Sequence, residues 1–215
     1  MKHVLIITTS YPTASDGSEA AGSFVQDFAE TLATQQTKVT VLAPGTSSSG
    51  DPAAAVQVVR YQGAGKSLSL LKIWNPSHWP AIAGILRDGA RQTNRLCREH
   101  GVDHVFALWV LPCGAWARQA WRRHGIPFST WALGSDIWSL GKIPVVRHVL
   151  QKVLADSRTN FADGHLLCRD VEQLSGTRCR FLPSTRRFIP APNQKLLHEL
   201  CSPGKPAERR RPEYR

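Results

Sequence analysis

"HVLIITT" (residues 3–9) is a continuous run of apolar and β-branched residues near the start of the chain. An unbroken apolar run of this length, without alternation, is typical of a strand buried on both faces. It is followed by "FVQDFAETLATQ" (24–35), in which Phe24, Phe28 and Leu32 recur at helical spacing, and then by "KVTVLAP" (38–44). This strand–helix–strand order predicts two parallel strands joined by a crossover helix.

The same alternation continues along the chain. Further strands are predicted at 56–62, 102–109, 126–133, 157–162 and 178–183, and helices at 77–99, 113–125, 144–155 and 165–175. We expect Ser77 to cap the first of these helices, with Pro80 in its first turn. The pattern predicts an α/β protein with a Rossmann-like parallel sheet and helices on both faces, in a single domain over 1–183. Residues 184–215 are rich in Pro and Arg, which predicts a linker and a disordered tail.

Composition restricts the class of protein. The chain has 215 residues, 42% of them hydrophobic, and no apolar stretch long enough to span a membrane. Its five cysteines are an odd number without a disulfide framework, which favours reduced thiols and a cytoplasmic location. "CREH" (97–100) and "HLLC" (165–168) have the spacing of metal ligands, but neither has a second close pair, so we expect no metal and no cofactor.

The net charge of +11 raises the question of an anionic partner. Residues 186–215 hold eight basic and three acidic residues and carry +5, while the remaining +6 is spread over 185 residues. Such a distribution is weak support for nucleic-acid binding. It favours either an anionic membrane surface, contacted peripherally, or phosphorylated ligands.

Gly22 and Ser23 precede the first predicted helix. Backbone N–H groups at a helix start are unpaired and can bind a phosphate or a sugar hydroxyl. The alternative is structural, with Ser23 as an ordinary cap and Gly22 permitting the turn. The segment matches neither a dinucleotide-binding nor a P-loop motif.

Two further segments follow buried strands. Trp109, in "ALWVLPCGAWA" (107–117), can stack on a sugar ring or cover the core. In "ALGSDIW" (132–138), Gly134, Ser135 and Asp136 are expected where parallel sheets bind ligands. Asp136 can accept hydrogen bonds from a ligand or from the N–H groups of its own turn. No pattern identifies a catalytic residue.

Together these motifs resemble a known family. "SYP…GSFVQDFAETLA…KVTVLAP", "LWVLPCGAWA", "GSDIW" and "FLPS" occur in the order found in the N-terminal, acceptor-side domain of family 4 glycosyltransferases of GT-B architecture. The resemblance covers residues 1 to about 190. It implies that Gly22–Ser23 approaches the donor phosphates, and that Leu133–Asp136 lines the cleft near the reacting sugar. The implied partners are a sugar or lipid-linked acceptor and, with a C-terminal domain, a nucleotide-sugar donor.

The sequence departs from the family in two ways. Leu133 stands where many relatives have a histidine, so that side chain's role does not carry over. The donor-binding domain of the family, with its basic pair and carboxylates, has no counterpart in the chain. We therefore expect a domain that positions an acceptor and does not transfer sugar by itself. A non-catalytic α/β module that binds a sugar, a nucleotide or an anionic lipid surface is the alternative.

Overall fold

The computed structural model describes residues 1–12, 22–45, 55–62 and 75–185. The predicted tail therefore lies almost wholly outside the described residues, and the domain boundary at 183–184 stays a prediction.

In the described residues, seven strands form one sheet. Their bounds are β1 (His3–Ile7), β2 (Lys38–Pro44), β3 (Val56–Tyr61), β4 (His104–Leu108), β5 (Phe128–Ala132), β6 (Thr159–Ala162) and β7 (Cys179–Phe181). All seven predicted strands are confirmed. Most are shorter than the apolar runs that predicted them, because apolar residues at the strand ends continue into buried turns, as Leu133 does.

Six α-helices connect the strands in the described residues. They are α1 (Ser23–Thr34), α2 (Trp79–Glu99), α3 (Ala115–His124), α4 (Ser135–Trp138), α5 (Pro144–Asp156) and α6 (His165–Ser175). The sequence did not predict α4, a single turn that follows β5. The expected cap of α2 is also wrong. Ser77 lies inside a short 3-10 turn, Pro76–His78, and its amide donates to the side chain of Asn75.

All strand pairs are parallel, and the strand order is β3-β2-β1-β4-β5-β6-β7. In the middle of the sheet, Ile7 of β1 pairs with Leu42 of β2 on one side and with Ala107 of β4 on the other. This order and direction confirm the predicted Rossmann-like fold in a single domain.

Each face of the sheet has its own apolar core. On one face α1 packs Phe24, Val25 and Ala29 over Trp131 and its neighbours. The other helices that bury apolar residues pack on the opposite face, where Trp116 and Leu150 are among the buried side chains. Helices thus cover both faces, as predicted, but α1 is the only one of the described helices on its side.

The amino-terminal ends of the central strands are joined through His3, which is 4% exposed. Its Nδ1 lies 2.8 Å from the carbonyl oxygen of His100, at the end of α2, and its Nε2 lies 2.9 Å from Oγ1 of Thr40 in β2. The His3 amide donates to Asp103, just before β4. These contacts place the last turn of α2 at the amino-terminal edge of the sheet.

Two further observations concern location. Within the described ranges no helix is long and apolar enough to cross a membrane. Cys97, Cys113, Cys168 and Cys179 are free thiols, and burial raises the pKa of Cys97 to about 11. A cytoplasmic location stays a prediction.

Candidate functional site

The strand order defines where this fold binds ligands. From β1 the chain crosses through α1 to β2, whereas from β4 it crosses through α3 in the opposite direction to β5. The two connections separate at the carboxyl ends of β1 and β4, and in open α/β sheets ligands bind in the crevice that this divergence creates. The predicted segments lie after β1, β4 and β5, so they meet at this carboxyl edge.

Gly22 is buried at the start of α1, and its carbonyl oxygen accepts the amides of Val25 and Gln26. No side-chain cap occurs at this end of α1, which begins at Ser23 itself. A Cβ atom on Gly22 would lie 2.9 Å from the ring of Pro12 and 2.9 Å from the carbonyl carbon of Tyr11. The glycine therefore lets the helix start approach the segment that follows β1.

Arg60, near the end of β3, holds that segment in place, and sequence analysis did not identify it. Its guanidinium donates to the carbonyl oxygens of Pro12 (2.7 Å) and Pro44 (2.9 Å), and it lies 5.4 Å from the ring centre of Tyr11. An arginine near the end of the mostly apolar strand "VQVVRY" is the signal in the sequence. Arg60 thereby fixes three carboxyl-edge segments relative to one another.

Trp109, immediately after β4, adopts an uncommon backbone conformation. Its φ is +64°, a region that bulky residues rarely occupy and that costs on the order of 1–3 kcal/mol. The Trp109 amide donates to the carbonyl oxygen of Trp131 at 3.0 Å, and its indole meets Phe24 edge to face with ring centres 6.3 Å apart. Phe24 lies in the first turn of α1, so Trp109 and the Gly22–Ser23 segment are neighbours.

Asp136 is 1% exposed and accepts backbone hydrogen bonds from two segments. Its Oδ2 accepts the amide of Val110 at 2.6 Å, and its Oδ1 accepts the amides of Ile137 at 3.2 Å and Leu133 at 3.4 Å. Two of these donors belong to its own turn, as the structural alternative predicted. The third joins the end of β5 to the residue after Trp109, and this contact was not foreseen.

The other residues of this turn differ in exposure. Gly134 has φ of +104°, and a Cβ there would lie 3.0 Å from the Trp138 ring. The Trp138 side chain is 49% exposed, and its Nε1 donates to Asp170 at 2.6 Å. Ser135 is exposed, whereas Leu133 is partly buried against the α1-side core. Ser135 and Trp138 therefore face outwards, while Leu133 and Asp136 face inwards.

Burial raises the pKa of Asp136 to about 6, although the backbone hydrogen bonds act in the opposite direction. The folded chain therefore holds this proton more tightly than the unfolded chain does. The contribution of Asp136 to stability is complete below about pH 4 and is lost as the pH rises through about 6. The difference corresponds to about 3 kcal/mol.

We expect the free-energy difference between the wild type and Asp136→Ala to shrink by roughly this amount between pH 4 and pH 7. Urea unfolding of both proteins across this range measures it. A difference that does not change with pH would contradict the raised pKa.

The structure thus brings Gly22–Ser23, Trp109 and Gly134–Asp136 to one edge of the sheet. In the described part of the chain, no three His, Cys, Asp or Glu side chains form a potential metal site. His148 is exposed on α5, and His165 stacks on Phe181 with ring centres 4.3 Å apart. His165 begins α6 directly after β6, and Phe181 ends β7, so this stacked pair lies at the β6–β7 end of the same carboxyl edge.

No protein-family model and no curated protein sequence matches the chain. Solved structures do. The fold is similar to that of a sucrose-phosphate synthase from Thermosynechococcus elongatus, with a TM-score of 0.58 and 11% identity over 85% of this chain and 88% of that one. It is also similar to UGT73P12 from Glycyrrhiza uralensis, complexed with glycyrrhetinic acid 3-O-monoglucuronide (TM-score 0.52, 12% identity, 83% and 48% of the two chains).

A third similar structure is HepE from Anabaena, in complex with UDP and glucose (TM-score 0.51, 12% identity, 92% of this chain and 50% of that one). The chain spans about half the length of UGT73P12 and of HepE. The structures that it matches are glycosyltransferases of GT-B architecture. The chain has the fold of one Rossmann-like half of that architecture, and at such low identity the likeness shows the fold alone.

Proposed function

We propose that the chain is the acceptor-side domain of a GT-B glycosyltransferase of family 4. In this role it positions the hydroxyl group of a sugar or lipid-linked acceptor for transfer from a nucleotide-sugar. The resemblance of its motifs and the similarity of its fold to half of a GT-B enzyme both support this assignment.

One observation carries the proposal, namely the backbone of Trp109 beside the divergence between β1 and β4. A strained backbone persists only where its surroundings hold it, and such residues cluster at functional sites. Here Trp131 fixes the amide of Trp109, and Asp136 fixes the next amide along the chain. We propose that the indole of Trp109 contacts the face of the acceptor sugar.

The remaining residues have separate roles in this proposal. The Gly22–Ser23 segment approaches the donor phosphates, and Gly134 and Ser135 line the cleft. Asp136 acts as a positioning residue, because its carboxylate is buried and holds the amide of Val110. The side chain of Leu133 contributes packing. No described residue is assigned as catalytic.

Glycosyl transfer also needs positive charge at the leaving phosphate and exact alignment of the two reacting sugars. In a GT-B enzyme the second Rossmann-like domain supplies that charge. We therefore propose that the 215-residue chain binds an acceptor but does not transfer sugar unless it is combined with a donor-binding domain.

Isotope-edited NMR of the purified chain tests this proposal. Titration with a panel of monosaccharides, glucose among them, is expected to shift the NMR signals of the Trp109 indole and of the Gly134 and Ser135 amides. The variant Trp109→Phe should weaken binding at least about threefold, since it removes part of the stacking surface. Trp121→Phe, at the far end of α3, is the matched control and should change nothing.

Three outcomes would oppose the assignment. Turnover of UDP-glucose by the chain alone would sink the claim of inactivity. Shifts confined to residues away from the carboxyl edge would remove the acceptor role. Binding at the edge without any activity, even after fusion to a donor-binding domain, would favour the non-catalytic module.

A further inference from the structure

A groove lies between the outer surfaces of α2 and α3, away from the candidate site. Its volume is about 660 Å³, within the usual range for small-molecule sites. It is lined by side chains from both helices, including Arg87, Arg91, Arg95 and Arg98 from α2 and Gln119 and Arg123 from α3. Because α2 ends beside His3, the groove extends towards the amino-terminal edge of the sheet.

The groove is strongly basic because the spacing of the α2 arginines places their side chains on one face of the helix. The four arginines of α2 are three or four residues apart, which places them in a row along the helix. The only acidic residues of α2 are Asp88, which accepts the Gln62 amide, and Glu99, which pairs with Arg98 at 2.8 Å and Arg95 at 3.9 Å.

Helix α3 contains no acidic residue, and its Arg118 pairs with Asp156 of α5 at 2.5 Å. Among the residues that the structure describes, no carboxylate lies within ion-pair distance of Arg87, Arg91 or Arg123. The positive charge of these three guanidinium groups is therefore available to an anion.

Two buried amide oxygens in the groove indicate a second property of its ligand, namely hydrogen-bond donors. In the described part of the chain, Oε1 of Gln92 and Oδ1 of Asn94 accept no hydrogen bond. The Asn94 amide is oriented by its nitrogen, which donates to the carbonyl oxygen of Ala90 at 2.7 Å and lies 3.4 Å from Oε1 of Gln119. Buried acceptors without donors are unfavourable, so a ligand that brings hydroxyl groups is favoured over a bare anion.

We propose that the α2–α3 groove is a second binding site, separate from the carboxyl-edge cleft, for a phosphate ester with neighbouring hydroxyl groups. The guanidinium groups of Arg91 and Arg123 bind the phosphate oxygens, which suit the planar geometry of arginine. The side chains of Gln92 and Asn94 rotate on binding, so that their oxygens, which are buried in the unliganded chain, accept hydrogen bonds from the hydroxyls. A soluble polyol phosphate and a phospholipid headgroup both carry this chemistry.

Calorimetric titration of the 215-residue chain tests the site, with myo-inositol 1-phosphate, inorganic phosphate and myo-inositol as probes. We expect the ester to bind at least about tenfold more tightly than either inorganic phosphate or the free polyol, because only the ester satisfies both sets of groups. Arg91→Gln should weaken ester binding about tenfold. Asn94→Ala should reduce the affinity for the ester towards that for inorganic phosphate.

The control is Arg147→Gln, an exposed arginine on α5 outside the groove, which should leave ester affinity unchanged. Circular dichroism of each variant establishes that it is folded. Vesicles of phosphatidylcholine with and without phosphatidylinositol then distinguish the two sources of the ligand. If the chain binds the free ester but neither kind of vesicle, the ligand is soluble. If the chain also binds vesicles, and only those that contain phosphatidylinositol, the ligand is a phospholipid headgroup.

Three results would overturn the proposal. They are equal affinity for the ester and for inorganic phosphate, ester binding that Arg91→Gln does not weaken, and tighter binding of a single-stranded oligonucleotide than of the ester. The last of these would assign the groove to nucleic acid.

Discussion

Replacing Asp136 with alanine is expected to lower the free energy of unfolding by about 3 kcal/mol at neutral pH. The substitution leaves the amides of Val110, Leu133 and Ile137 without their acceptor in a buried site. The loss of these hydrogen bonds costs more free energy than the removal of a buried charge gains, because each buried amide without a partner costs on the order of 1–3 kcal/mol. Urea denaturation measures the change.

Two comparisons sharpen this prediction. Asp136→Asn keeps the shape but turns an amide donor towards one of the backbone donors, so we expect an intermediate loss. Asp156→Ala removes the partly exposed partner of Arg118 and should cost about 1 kcal/mol or less. In Asp136→Ala, hydrogen exchange at the Val110 amide should also accelerate. A variant as stable as the wild type would show that the carboxylate does not hold the two turns together.

The second large effect is expected at Gly89, in the middle of α2. A Cβ atom there would lie 2.4 Å from two ring atoms of Trp116, far inside van der Waals contact. Trp116 is held in turn by Tyr61, with ring centres 5.3 Å apart. We expect Gly89→Ala to lower the free energy of unfolding by about 2–3 kcal/mol, because α2 must move away from α3.

Gly84 provides the matched control on the same helix. A Cβ at Gly84 meets no atom within 4 Å, so Gly84→Ala should stabilise the chain by about 0.5–1 kcal/mol through the gain in helix propensity. Thermal unfolding of both variants measures the two changes in stability, which are expected to have opposite signs. Trp116→Phe in the Gly89→Ala background should recover part of the loss. Two alanine variants with the same sign would rule out close packing as the cause.

Local pattern was enough to predict the strands and the long helices. "KVTVLAP" coincides with β2, because polar residues precede the run and a proline ends it. Gly125, the last residue of the helix predicted at 113–125, ends α3 in a left-handed conformation with φ of +71°. The expected cap of α2 is wrong because a 3-10 turn capped by Asn75 precedes the helix. Ser77 lies inside this turn, and His78 stands before α2 without a side-chain cap.

The sequence predicted only part of the candidate site. Sequence placed Trp109 and Asp136 after adjacent strands, but the contact between Asp136 and Val110 joins residues 26 positions apart and has no local signal. The backbone conformation of Trp109 has none either. The basic groove was a different kind of omission. The three- and four-residue spacing of the α2 arginines is its signal in the sequence, whereas the net charge of the chain does not show on which helix face the charge lies.

The pairing of β1 with β4 also has a consequence for the order of assembly during synthesis. The His3 amide donates a hydrogen bond to Asp103, 100 positions later, and the rest of β1 pairs with β4 in the same region. A ribosome adding about 5–20 residues per second makes β1 long before it makes β4. During that interval β1 and β2 are available to each other but one edge of β1 has no neighbour. The nascent chain must keep this apolar strand from other partners until β4 emerges, so early aggregation is the hazard that this topology carries.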